Sequence, residues 1–199
     1  QSIFINHFET VAAEPDYIAS HALAIRTADL ASVGGFPDIG LPILEDVAFS
    51  HRFRRNGGAL VMQPDLLVRH HFGFDLRDSL ANATRKTRHW VAYSLAAGDL
   101  LADSGTASHA LKLTVTGHAV VILSLVLTAP LGTPELLLGV TALLPGLFVS
   151  RHLIVSFLRY LGPRGATTST FYYLLIYPFA IEWGALLGMF DRCRRSRLI

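Results

Sequence analysis

Two adjacent carboxylates, Glu45 and Asp46, open an apolar run that closes on three arginines, Arg52, Arg54 and Arg55. Further along, two adjacent imidazoles, His70 and His71, follow a short apolar stretch. A carboxylate at a helix N-terminus is held ionised by the helix dipole and by backbone N–H groups. That suits a general base, which must be deprotonated at neutral pH. Imidazole is a good metal ligand. Together the two types suit group transfer from a phosphorylated donor. Plainer roles stand beside these: Asp and Glu occur routinely at helix starts as caps, and a histidine pair also serves at a surface.

The elements that must carry these groups are legible from caps and periodicity. Thr27 reads as the N-cap of a short helix with Asp29 in its first turn and Gly34 just past its end. The stretch from Phe36 to Leu44 is rich in Pro and Gly and reads as a loop. Val47, Ala48, Phe49 and Phe53 give residues 45–55 an apolar stripe, so a helix is expected there. Its acids lie at the positive end of the dipole, its arginines at the negative end, and Asn56-Gly57-Gly58 stops it. "ALVMQPDLLVRHHFGF" reads as two short strands around a Gln63-Pro64-Asp65 turn. A longer helix follows, about Asp75 to Asp99. Leu76, Leu80, Ala83, Thr87 and Val91 form one side; Arg77, Arg85 and Arg88 form another. Such a basic amphipathic helix suits a membrane interface or, equally, a protein surface.

Composition divides the 199 residues in two. The chain is 51% hydrophobic and 16% charged, with net charge +2; soluble domains carry about 25% charged residues. Most acids and histidines fall in residues 1–109, and very few in 113–190. Residues 110–199 are therefore expected to be a membrane region of two to three hydrophobic helices. Leu113–Ala129, Leu136–Val149 and Thr170–Phe190 are the apolar runs; against a span of about 20 residues the first and third are long enough. Lys112, the Arg151–Arg164 stretch, read as a loop, and the Arg192–Arg197 tail are all basic. The positive-inside rule would place all three in the cytoplasm, which three full spans cannot satisfy. Gly184 and Gly188 form a small-xxx-small pair that permits close helix packing. The small net charge gives no argument for nucleic acid. The single cysteine, Cys193, excludes an internal disulfide.

"VGGFPDIGLPILEDVAFSHRFRRNG" resembles the second half of a family 2 glycosyltransferase of the GT-A fold. The pattern is GGF at Gly34-Gly35-Phe36, the acidic pair Glu45-Asp46, and a helix ending R-x-x-G at Arg54-Arg55-Asn56-Gly57. "SHALAIRTADLASV" is similar to the segment before GGF, and "QPDLLVRHH" to the family's later strand ending in histidine. The resemblance covers about residues 15–95. It implies an α/β fold for residues 1–109, as a partial GT-A-like domain, followed by α-helical transmembrane segments. It implies an inverting, hexosyltransferase-like enzyme with a nucleotide-sugar donor and a lipid or saccharide acceptor. Asp46 matches the base that deprotonates the acceptor hydroxyl, and Glu45 its orienting neighbour. Gly34, Gly35 and Phe36 match the acceptor loop. His70, or its close alternative His71, matches the histidine that helps hold a divalent ion (Mg or Mn) on the donor diphosphate.

Two departures qualify the match. No D-x-D motif, the main metal holder, occurs in residues 1–199; the resemblance would place it upstream of Gln1, and these residues alone are then expected to be inactive. The processive motif Q-x-x-R-W is replaced by "TRKTRHW", which favours a non-processive transferase, with Arg88 and Trp90 touching acceptor or headgroup or else serving packing. The expected location is the inner membrane, multi-pass, with the polar part cytoplasmic. The rival is a non-catalytic accessory subunit or transporter component, in which His118 and Glu182 within apolar segments would be the functional groups.

Overall fold

The computed structural model describes residues 15–63, 71, 73–105, 107–131, 139 and 141–196. The regular secondary structure of the described residues is helical: α1 (Thr27–Ser32), α2 (Glu45–Arg55), α3 (Leu76–Ala97), α4 (His109–Leu131), α5 (Leu143–Val149), α6 (Arg151–Phe171), a π-helical turn (Tyr172–Ile176) and α7 (Tyr177–Ser196), with a 3₁₀ turn at Ser20–Ala22. The α/β expectation is therefore corrected. Among the described residues there is no strand, and the first expected strand, within residues 59–63, is irregular backbone. Its short apolar run is β-like, but a strand is defined by a partner, and the described residues offer it none. The second, Leu66–Val68, lies outside the described residues.

The helix limits follow local chemistry. The Asp75 carboxylate caps α3 by accepting from the Asp78 N–H at 2.8 Å. Gly98, with φ 77°, ends the same helix in the left-handed region that glycine enters without penalty.

The polar part packs around Trp90. Tyr17, Leu44, Val47 and Trp90 form one apolar cluster, which joins α2 to the C-terminal part of α3. A second cluster, Leu111, Leu153, Phe157, Ala166 and Tyr173, joins α4, α6 and the π turn.

α3 lies along α7, and successive contacts run in the same direction. Ser79 Oγ meets Tyr172 OH at 2.8 Å, Thr84 Oγ1 donates to Ala180 O at 3.1 Å, and Arg88 pairs with Asp191 at 2.6 Å. The close approach depends on Gly184 and Gly188. A Cβ at Gly184 would meet the Thr84 carbonyl, and one at Gly188 the Arg88 carbonyl. The basic helix is thus docked on the polypeptide rather than lying alone on a surface.

Residues 139 and 141–149 return along α4. A Cβ at Gly117 would strike Ala142 O, one at Gly139 the Ser124 side chain, and one at Gly146 the Thr114 backbone. These pairings run in opposite directions, so the two segments form a helical hairpin held by small residues. Residues 151–164, expected as a loop, are helical. The break falls at Gly162 (φ 68°, ψ 179°), a conformation essentially confined to glycine, and Pro163 follows. Two stretches, His109–Leu127 and the helical run Arg151–Arg194, are long and apolar enough to cross a membrane.

Candidate functional site

Asp46 sits in the first turn of α2, but it is not the cap. The N-cap is Leu44, with φ 79° and no side-chain cap bond. A left-handed leucine costs roughly 1–2 kcal/mol. Burial of its side chain against Tyr17, Val47 and Trp90 holds it there. This strained residue sets the direction in which Glu45 and Asp46 leave the loop.

Both oxygens of Asp46 are engaged by backbone. Oδ2 accepts from Ser20 N–H at 2.9 Å and Oδ1 from Val47 N–H at 2.9 Å. One turn on, the buried Ser50 Oγ accepts from Ile18 N–H at 3.0 Å. Asp46 and Ser50 therefore strap residues 18–20 onto one face of α2. Each carboxylate oxygen accepts more than one hydrogen bond, so the strap leaves Asp46 capacity for a hydroxyl. Glu45 is exposed.

The GGF loop closes over the same helix. Gly34 (φ 74°) and Gly35 (φ 72°) carry the turn after α1. The Phe36 ring lies 4.8 Å from that of Phe49, and Arg52 Nη2 donates to Gly35 O. Gly35 and Phe36 are thus tied to the helix that carries Asp46. From α3, Lys86 joins them electrostatically: partial burial lowers its ammonium below the usual range, and the Asp46 carboxylate acts to raise it. Lys86 and the Ser20–Asp46 and Ile18–Ser50 ties are missed by sequence reasoning. The spacing of Asp46 and Ser50 by one helical turn was the available signal.

His51 of α2 meets Tyr93 OH of α3 through Nδ1 at 3.0 Å. Burial lowers its pKa from the ordinary 6.5, outweighing Asp99 and Asp16, which raise it. The folded form then binds fewer protons than the unfolded form, so stability is expected to rise with pH through this range and fall as pH drops through the ordinary histidine value. Melting temperature against pH checks this: His51→Gln should flatten the acid-side fall, and an unchanged profile would remove His51 as its source.

The other expected site residues are placed as follows. Trp90 is 5% exposed and packs in the apolar cluster. Arg88 is bound to Asp191 through two hydrogen bonds, 2.6 and 3.0 Å. Neither joins the Asp46 site. His71 is exposed; His70 lies outside the described residues. Among the described residues no three His, Cys, Asp or Glu side chains converge to hold a metal ion.

A second polar constellation lies in the apolar part. His118 Nδ1 of α4 and Glu182 Oε1 of α7 are 2.8 Å apart. Ser150 Oγ and Tyr173 OH are 3.1 Å apart, each 3.4 Å from Thr114 Oγ1. Sequence marks His118 and Glu182 singly as ionisable groups in apolar runs; only the fold pairs them. No protein-family model, curated protein or solved structure matches the chain.

Proposed function

We propose that this chain provides the acceptor side of a membrane-bound, inverting, non-processive glycosyltransferase. The observation that carries the reading is that the GGF loop, the acidic pair and the R-x-x-G helix end, which resemble family 2 glycosyltransferases in order, are gathered on α2. Asp46 accepts the proton of an acceptor hydroxyl. The resulting oxygen attacks the anomeric carbon in line and forms the new C–O bond. The nucleoside diphosphate leaves with the electrons of the old one. The Ser20 and Val47 N–H bonds fix the carboxylate's direction, and Lys86 supplies a nearby positive charge. Glu45, exposed beside Asp46, orients the acceptor, which is a lipid or saccharide hydroxyl.

The same reading makes the protein a multi-pass inner-membrane protein with its polar part cytoplasmic. The basic residues at Lys112 and Arg151–Arg164 support that side. Alkaline carbonate is expected to leave the chain in the membrane pellet, and protease is expected to reach residues 15–63 only in inverted vesicles. Release by carbonate, or protection in that orientation, would contradict the placement.

A second reading, a non-catalytic accessory subunit or transporter component, is favoured by the meeting of His118 and Glu182. Gene-dependent transfer of a labelled sugar by membranes separates the two: the transferase requires it, the accessory reading does not.

A further inference from the structure

His118 and Glu182 come from the two helical stretches with the length and apolarity to cross a membrane. Their side chains are 2% and 24% exposed. The ring of Phe179 stands edge-on to the imidazole, 4.5 Å between centroids at 83°. One turn earlier on α4, Thr114 extends the polar strip to Ser150 and Tyr173. Tyr173 belongs to the π turn, a rare geometry that is frequent at functional sites.

Two ionisable groups are a costly way to pin helices in an apolar setting, where hydroxyls or small residues suffice. Here the hydroxyls and the glycines are already present. What the pair adds is exchangeable charge. With Nδ1–H donating to the Glu182 carboxylate, the imidazole is neutral and the pair carries one negative charge. A proton bonding to Nε2 makes an imidazolium–carboxylate pair of zero net charge and leaves the Nδ1–H···Oε1 bond closed.

We propose that the His118–Glu182 pair is a proton-binding site within the membrane part, taking up one proton on the imidazole while its bond to Glu182 persists. The inference does not rest on the transferase reading.

Charged groups on the surrounding elements have other engagements. Arg88 of α3 pairs with Asp191 of α7. Lys112 of α4 donates to Ala102 O. On α6, Arg151 lies over the Phe148 ring and Arg159 over Tyr160, while His152 and Arg164 are exposed. α5 carries no titratable side chain. In the π turn, Tyr172 bonds Ser79 and Tyr173 bonds Ser150. Tyr177, at the start of α7, packs against the second apolar cluster. Glu182 is the carboxylate that contacts the imidazole.

The test is nuclear magnetic resonance of the full chain, labelled with ¹⁵N-histidine, in phosphatidylcholine vesicles. His118→Gln assigns the resonance, which is then followed from acid to alkaline pH. The expected result is a His118 resonance that reports proton uptake across that range and whose uptake is displaced in Glu182→Gln relative to the wild type. That variant keeps an oxygen for the hydrogen bond and removes the charge. A His118 fixed in one protonation state, or titrating identically in Glu182→Gln, would overturn the proposal. Should Glu182→Gln not fold, the wild-type protein decides alone: a titrating His118 supports the site and a fixed one overturns it.

Discussion

Asp46→Asn is expected to lower sugar-transfer turnover about 10²–10⁴-fold, the usual contribution of a general base. Its cost to the fold is expected to be much smaller. Asn keeps one side-chain oxygen and replaces the other with an NH₂ donor, so only one of the Ser20 and Val47 N–H bonds survives. Loss of one such bond costs about 0.5–1.5 kcal/mol. The exposed position of the Ser20 bond lets water replace it and favours the low end. A purely structural Asp46 would give the mild stability loss with turnover nearly unchanged. Melting temperature and transfer rate on the same membranes separate the two outcomes. Glu45→Gln, at an exposed position, should cost less rate than Asp46→Asn and leave stability unchanged.

Gly188→Leu is expected to be strongly destabilising. Its side chain would meet the Arg88 carbonyl and Val91, which are backbone and packed side chain rather than a flexible tip. Overpacking typically costs about 1–3 kcal/mol, and separating α3 from α7 would also strain the Arg88–Asp191 pair. Gly184→Leu should behave alike against Thr84 and Thr87. Leu186→Ala, at an exposed position between them, should be close to neutral. Equal melting temperatures for Gly188→Leu and Leu186→Ala would show that the two helices are not in contact.

Elements whose ends carry their own chemistry were legible in the sequence. The acids, arginines and Asn56-Gly57 bracket α2, and Asp75 and Gly98 bracket α3 within a residue or two. What required distant partners was not legible. The short apolar run of residues 59–62 reads as a strand, but strand formation depends on a neighbour that the sequence does not name. Gly184 and Gly188 announce a close helix contact without revealing that the partner is the basic α3. Trp90 reads as an acceptor or headgroup contact, or more plainly as an interface anchor or packed residue; packing against Leu44 and Val47 decides for core. The basic residues of 151–164 suggested a loop, yet Leu153 and Phe157 recur at one helical turn and bury. At the candidate site the acidic pair and GGF were visible, whereas Ser20, Ser50 and Lys86 act across long separations.

The most direct measurement is transfer of label from a panel of nucleotide sugars into lipid and saccharide fractions. It uses native membranes that lack the protein, complemented with wild type or with Asp46→Asn at equal abundance. The account predicts that one donor labels one fraction only when the wild type is present, and that Asp46→Asn reduces that labelling by about 10²-fold or more. Labelling that is independent of the protein for every donor, or equal labelling by Asp46→Asn, would contradict it.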